Sequence, residues 1–516
     1  MFIKIFLLLL FFGVTAGVGL RCRKKASDVH GFVLGGRNAG PWLSAFAYGT
    51  SYFSAVIFVG YAGQFGWKFG ISSTWIGLGN AFIGSLLAWT VLGRRTRIMT
   101  QHLKSATMPQ FFENRFGSAG LKIFSSILIF VFLIPYTASL YNGLGRLFGM
   151  SFDVDYTVCI AAMSGITAVY VIAGGYMATA INDFIQGVIM LFGIVSIVFS
   201  VLKINGGFGL SLDALARITD TSVSEAPGIF TSFFGPDPLN LLCVVILTSL
   251  GTWGLPQMVQ KFYAVKSEKN IREGTVISTV FALAVAGGCY FLGGFGRLFD
   301  VNVASEGYDA IIPEMLSRLS PAISGVALVL VLSASMSTLS SLVLASASTL
   351  TLDFIDPVFL GGKKDGKKTL PIIRVFIAVF ILLSAVIATV QYKLNVTFIA
   401  QLMGLSWGAL AGSFLAPFLY SLYWKKTTKA SCIACFTWGS CLMIANMLFK
   451  TAFPAFLQSP INCGVFAMLG GMLIIPAVSA FTRSPDKLMI QQIFSCYDRK
   501  VTVPVKDILS TERIAN

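Results

Sequence analysis

Ser333-Ala334-Ser335-Met336-Ser337-Thr338-Leu339-Ser340-Ser341 sets five serines and one threonine into the middle of an uncharged apolar run, 322–352. A helix crosses the hydrocarbon core of a bilayer in about 20 apolar residues, so the run is long enough to span a membrane with hydroxyls at mid-depth. Ser337, Ser340, Ser341 and Ala334 share one face at i, i+3, i+4 spacing. Hydroxyl and carbonyl oxygens suit a hard cation, because they replace its hydration shell without requiring full negative charge. Small residues also favour close packing of membrane helices. The stretch therefore reads either as an ion site or as a packing seam.

The rest of the chain supports a membrane reading. Of its 516 residues, 55% are hydrophobic and only 12% charged, with a mean hydropathy of +0.79. An ordinary soluble chain carries about 25% charged residues. Runs of spanning length lie near 1–20, 42–64, 73–93, 121–146, 155–175, 183–202, 239–262, 275–297, 322–352, 371–391, 398–421, 430–449 and 461–481, numbered here as spans one to thirteen. The expectation is one all-α integral membrane domain, residues 1–482, with a polar tail at 483–516. Span one resembles a signal peptide in its apolar character, but its basic cluster, Arg21, Arg23, Lys24 and Lys25, follows the run. That order favours a retained first helix.

Basic residues alternate from loop to loop. Arg94, Arg95 and Arg97 follow span three; Lys266, Lys269 and Arg272 follow span seven; Lys363, Lys364, Lys367 and Lys368 follow span nine; Lys425, Lys426 and Lys429 follow span eleven. The tail adds Arg499, Lys500, Lys506 and Arg513. The opposite loops are sparse, with Lys68, Lys203, Arg217, Arg318 and Lys393. The net charge of +16 is thus topological. It points to a multi-pass protein of the cell membrane with its N-terminus outside and C-terminus cytoplasmic, and nucleic acid is not needed to explain it. Two histidines, His30 and His102, and nine scattered cysteines form no catalytic or metal-binding constellation, so an enzyme is not expected.

Asp183 opens span six. An intramembrane carboxylate marks an ion or substrate path, whereas an interfacial one caps a helix; the residue alone leaves both open. Spans two and seven carry helix-breaking chemistry: Gly49-Thr50-Ser51-Tyr52-Phe53-Ser54 in one, and Gly251-Thr252-Trp253-Gly254-Leu255-Pro256-Gln257 in the other. We expect helix breaks at Gly49, Gly254 and Pro256. Broken helices at matching positions point to a transporter's binding site. Spans two to six (about 42–203) and seven to eleven (about 239–421) then form two halves of five, and five being odd, the halves run inverted.

At this point the chain resembles a known family, the sodium/solute symporters. Gly35-Gly36-Arg37-Asn38-Ala39-Gly40-Pro41-Trp42 resembles the family's approach to its second helix, and Thr107-Met108-Pro109-Gln110-Phe111-Phe112-Glu113-Asn114-Arg115-Phe116 its cytoplasmic loop. Gly174-Gly175-Tyr176-Met177-Ala178 with Asn182, Asp183 and Gln186 is similar to its double-glycine signature, Tyr176 departing from the usual Leu, Met or Phe. Met336-Ser337-Thr338-Leu339-Ser340 is the most specific match.

The resemblance implies a LeuT-type 5+5 inverted-repeat core with extra helices at both ends. It implies sodium as coupling ion, no cofactor, and a sodium site built from the carbonyls of Thr50, Phe53 and Ala334 and the hydroxyls of Ser337 and Thr338. Some relatives hold a second sodium; Asp183, Ser337, Ser340 and Ser341 fit that pattern. For the solute, Ser51, Tyr52, Ser54, Gln64, Tyr136, Trp253, Gln257 and Gln401 are the expected lining. Tyr52 stands where proline carriers have an acidic residue, although Tyr136 matches a tyrosine they use. Sugar carriers place a glutamate on the third span, where this chain has Asn80 and Trp75. The expected activity is sodium-coupled symport of a small amino acid, carboxylate or sugar by alternating access, with sodium, solute and lipid as partners and no obligate protein partner indicated. Proton-coupled transport is the nearest alternative, and a transporter-like membrane sensor a more distant one.

Overall fold

The computed structural model describes residues 2–152, 155–224, 226–361, 366–394 and 399–498. Lys363 and Lys364 of the loop after span nine, and Arg499, Lys500, Lys506 and Arg513 of the tail, lie outside the described residues. Among the described residues the regular structure is all helical, with no β-strand beyond two isolated bridges, Ala39 with Val265 and Asp220 with Ser224.

Ten helices are long and apolar enough to cross a membrane, or eleven when the pair Pro238–Gly254 and Pro256–Ala264, bent by 49°, is taken as one. The sequence expectation was thirteen. The difference lies in two continuous stretches, Val56–His102 of 47 residues and Tyr156–Ile204 of 49. At about 1.5 Å per residue either would rise roughly 70 Å, more than twice the hydrocarbon thickness of about 30 Å. Each is interrupted by a glycine with left-handed φ: Gly70 at 63° and Gly175 at 54°. At Gly175 a side chain would also strike the Phe32 carbonyl at 2.7 Å, so the break needs glycine twice over.

Burial orders the helices. Span nine (Pro321–Leu350) and span eleven (Ile399–Tyr423) are central, their apolar windows 94% and 89% buried, whereas span one is 22% buried. Span nine's hydroxyls therefore face protein on all sides and never lipid. Phe192, Phe199 and Leu473 are among the exposed apolar side chains, as expected where lipid is the solvent.

The two broken spans share one geometry. Span two is helical over Pro41–Tyr52, opens at Phe53 (φ −91°, ψ 121°), and resumes through a π-helical segment, Val56–Tyr61, into Ala62–Phe69. Gly49 was the expected break, but it lies inside the first helix. There its missing side chain admits Phe281, whose ring a Cβ would meet at 2.4 Å. Span seven runs over Pro238–Ser249 and a 3₁₀ segment, Leu250–Gly254, opens at Leu255 (φ −82°, ψ 121°), and resumes at Pro256–Ala264. The break follows Gly254 and precedes Pro256, as the sequence indicates. Proline at the first helical position loses no bond, because that N–H has no intrahelical partner.

Candidate functional site

The opening of span two changes where its backbone bonds go. The amide of Ala55, which a continuous helix would pair with Ser51, donates instead to Ser335 Oγ at 3.2 Å. Freed carbonyls then point at span nine. Thr338 Oγ1 lies 3.2 Å from the Thr50 carbonyl, 3.4 Å from that of Ser51, 3.3 Å from that of Phe53 and 3.0 Å from that of Ala334. Ser337 Oγ lies 2.9 Å from the Thr50 carbonyl and 3.0 Å from that of Ala334. Two hydroxyl protons thus face four carbonyl oxygens. A hydroxyl brings a single proton and a carbonyl oxygen two lone pairs, and oxygens gathered in this way could hold a hard cation. All five oxygens that the family resemblance implies as sodium ligands meet here.

A second cluster adjoins it. Asp183 is fully buried, and its Oδ2 lies 3.5 Å from Nζ of Lys261, whose side chain is 4% exposed. Lys261 also donates to Ser341 Oγ at 2.9 Å and sits over the Tyr176 ring, 5.4 Å from its centroid. Ser341 shares a hydrogen bond of 2.8 Å with Ser51, while Ser340 donates to the Ser337 carbonyl at 2.9 Å. Of the four expected second-site residues, Asp183 and Ser341 therefore meet at a cation that belongs to the chain itself. Lys261 was missed by sequence reasoning, although a lysine five residues past Pro256, inside a membrane span, is itself a signal.

The expected solute-lining residues divide into groups. Ser51 turns toward Ser341 and the lysine. Tyr52 donates to the Thr248 carbonyl and stacks on Trp407, centroids 6.0 Å apart, while Tyr136 meets Trp407 edge-on at 5.8 Å. Trp407 is a second residue that sequence reasoning did not single out. The Tyr136 hydroxyl lies in reach of the Ser54 hydroxyl and Trp407 Nε1, while both amide atoms of Gln257 are buried without hydrogen-bond partners. Unmet polar atoms at this depth are expensive unless a ligand or water satisfies them. Trp253 instead donates to the Ile83 carbonyl at 3.1 Å, tying the break of span seven to span three.

Gln64 and Gln401 line a cavity of about 830 Å³ together with Trp67, Lys68, Asp220 and Arg297. It opens beside the loops that follow even-numbered spans. Arg297 bonds Asp220 at 3.0 Å and lies between the Trp67 and Phe230 rings. The Ser222 hydroxyl first, and Arg297 after it, hold the Asp220 carboxyl below its usual range. A further buried carboxylate, not singled out from the sequence, lies past span nine. Asp353, buried at the end of span nine, accepts from Thr107 at 2.6 Å and from Gln110 at 2.9 Å.

With this geometry in view, comparison with known proteins is decisive for the family. The profile of the sodium:solute symporter family matches residues 32–439. The chain belongs to this family. It is 27% identical over 479 residues to the osmoregulated proline transporter OpuE of Bacillus subtilis, covering 91% of this chain and 93% of that one. It is 30% identical over 431 residues to a sodium/proline symporter of Staphylococcus aureus, covering 82% and 81%. Its fold is similar to that of a Na+-coupled sialic acid symporter solved substrate-bound and outward-open, with TM-score 0.74 at 15% identity, covering 94% of this chain and 99% of that one. A manganese transporter of Eremococcus coleocola is more distant, at TM-score 0.52 and 10% identity over 89% and 95%. The chain is accordingly a membrane symporter with sodium as coupling ion, not an enzyme.

Proposed function

We propose that this symporter carries a compact, carboxylate-bearing solute with sodium by alternating access. The observation that carries the reading is the gathering of carbonyl oxygens from the break of span two, with that of Ala334, around the Ser337 and Thr338 hydroxyls. Sodium bound there would hold span two against span nine and so favour the conformation that completes the solute site. Coupling of this kind requires the ion to bind that conformation better than the others.

Two features support the solute class. Ser54, Tyr136, Trp407 and Gln257 bring buried hydroxyl, indole and amide donors, which suit carboxylate oxygens. The relatives above are named for proline and sialic acid, both of which bear a carboxylate. Tyr52, stacked on Trp407, takes the position where proline carriers have an acid, so this chain would hold the solute's cationic end, if it has one, differently from them.

The long stretches interrupted at Gly70 and Gly175 would each contribute two crossings. Each is counted once among the eleven, so the two extra crossings bring the total to thirteen, with the N-terminus outside. Uptake of labelled proline, other amino acids, monocarboxylates, sialic acid and sugars into proteoliposomes tests the reading. An inward sodium gradient should drive accumulation of a carboxylate solute, and a proton gradient with choline outside should not. Uptake driven by protons alone, or confined to sugars, would overturn it.

A further inference from the structure

We propose that Lys261 is a built-in cation that fills the position expected for a second sodium, so that the transporter binds and moves one sodium per cycle. The proposal rests on the sodium-coupled reading above and specifies its stoichiometry.

The Asp183 side chain has no exposed surface. A fully buried carboxylate needs a counter-charge, and the cation facing it is the Lys261 ammonium at 3.5 Å. An ammonium is a compact point charge with three donors. One reaches Ser341 at 2.9 Å and another faces Asp183, while the Tyr176 ring at 5.4 Å adds cation–π attraction. Tyr176 is the residue by which this chain departs from the family's glycine-rich signature.

The four oxygens that could hold a second sodium are thereby divided. Asp183 and Ser341 hold the ammonium, whereas Ser337 faces the first cluster and Ser340 bonds back to the Ser337 carbonyl. A sodium ion added beside Nζ would set two positive charges against one carboxylate in a poorly screened interior.

The placement also connects the lysine to the first site. Lys261 donates to Ser341, Ser341 bonds Ser51, and the Ser51 carbonyl lies 3.4 Å from Thr338 Oγ1. Lys261 is carried on Pro256–Ala264, the half-helix beyond the break at Leu255. Movement of that half-helix would withdraw the charge from Asp183 and return it without releasing an ion to either side.

Equilibrium binding of sodium-22 to the purified full chain in lipid nanodiscs tests this without knowing the solute. The unmodified chain should bind one sodium at saturation. Lys261→Ser, which removes the charge and leaves room and a hydroxyl, should bind two, and its melting temperature should rise more in sodium than in choline compared with the unmodified chain. Lys261→Arg should stay at one. Two ions on the unmodified chain, or one on a folded Lys261→Ser variant, would overturn the proposal while leaving sodium coupling intact. No sodium on the unmodified chain would overturn the coupled reading and this proposal together. The count on the unmodified chain is decisive even if Lys261→Ser does not fold.

Discussion

Replacing Thr338 by Val removes one hydroxyl at nearly constant volume and tests the ion cluster where it is most crowded. Thr338 Oγ1 lies within 3.0–3.4 Å of four carbonyls, those of Thr50, Ser51, Phe53 and Ala334. An oxygen facing a cation contributes about 1.5–3 kcal/mol, on the scale of hydrogen bonds to charged groups. Its loss should raise the sodium concentration for half-maximal uptake by roughly 10- to 150-fold, at about 1.4 kcal/mol per tenfold. Thr338→Ser keeps the oxygen and should recover most of that loss. Ser335→Ala serves as a local control, because Ser335 Oγ accepts from the Ala55 amide and donates to the Val331 carbonyl, and stands outside the five-oxygen set. Its effect on sodium affinity should be smaller. The assay is sodium titration of solute uptake in proteoliposomes, with surface or reconstituted protein quantified. An unchanged sodium dependence in a folded Thr338→Val variant would refute the assignment of the cluster.

Other outcomes follow from the same structure. Asp183→Asn leaves the Lys261 ammonium buried and unpaired, so detergent-solubilised protein should lose about 3–5 kcal/mol of stability; the double variant Asp183→Asn/Lys261→Met should regain much of it in the same denaturation assay. Gly66→Ala should destabilise more than Gly49→Ala, because its Cβ would meet Gly293 backbone at 2.0 Å whereas that of Gly49 meets the movable Phe281 ring; thermal unfolding ranks the two. The Asp220 carboxyl is held below the ordinary value of about 3.9, first by Ser222 and then by Arg297. Its pairing is therefore present above that value and lost only as pH falls through the lowered one, so uptake measured between pH 5 and 8 should show no step that Asp220→Asn abolishes. If one sodium moves with a neutral solute, 100 mV supplies about 2.3 kcal/mol, roughly 50-fold accumulation, and voltage-clamped reconstituted membranes should give one charge per solute.

Much of this was legible in the sequence because lipid imposes a strict composition. Span lengths, the hydroxyls of span nine and the matched breaks near Phe53 and Leu255 each depend on local chemistry. Gly254 and Pro256 placed the second break correctly. Gly49 misled, since glycine can serve either as a hinge or as a contact surface, and only the approach of Phe281 decides which. The residues of the ion cluster were implied by the family resemblance, whose motifs fall in two short stretches. Lys261 and Trp407 were not, because their roles depend on which distant side chains face them: Asp183 is 78 residues from Lys261. Asp353 was passed over for the same reason, its partners Thr107 and Gln110 lying across the fold.

Coupling in this transporter rests on sodium binding at the break of span two. Structures of the purified protein in sodium and in choline, at a resolution that shows bound ions, test it directly. The expected result is a peak enclosed by the carbonyl oxygens of Thr50, Phe53 and Ala334 and the hydroxyls of Ser337 and Thr338, present in sodium and absent in choline. A sodium-dependent peak elsewhere, or none within reach of these five oxygens, would contradict it.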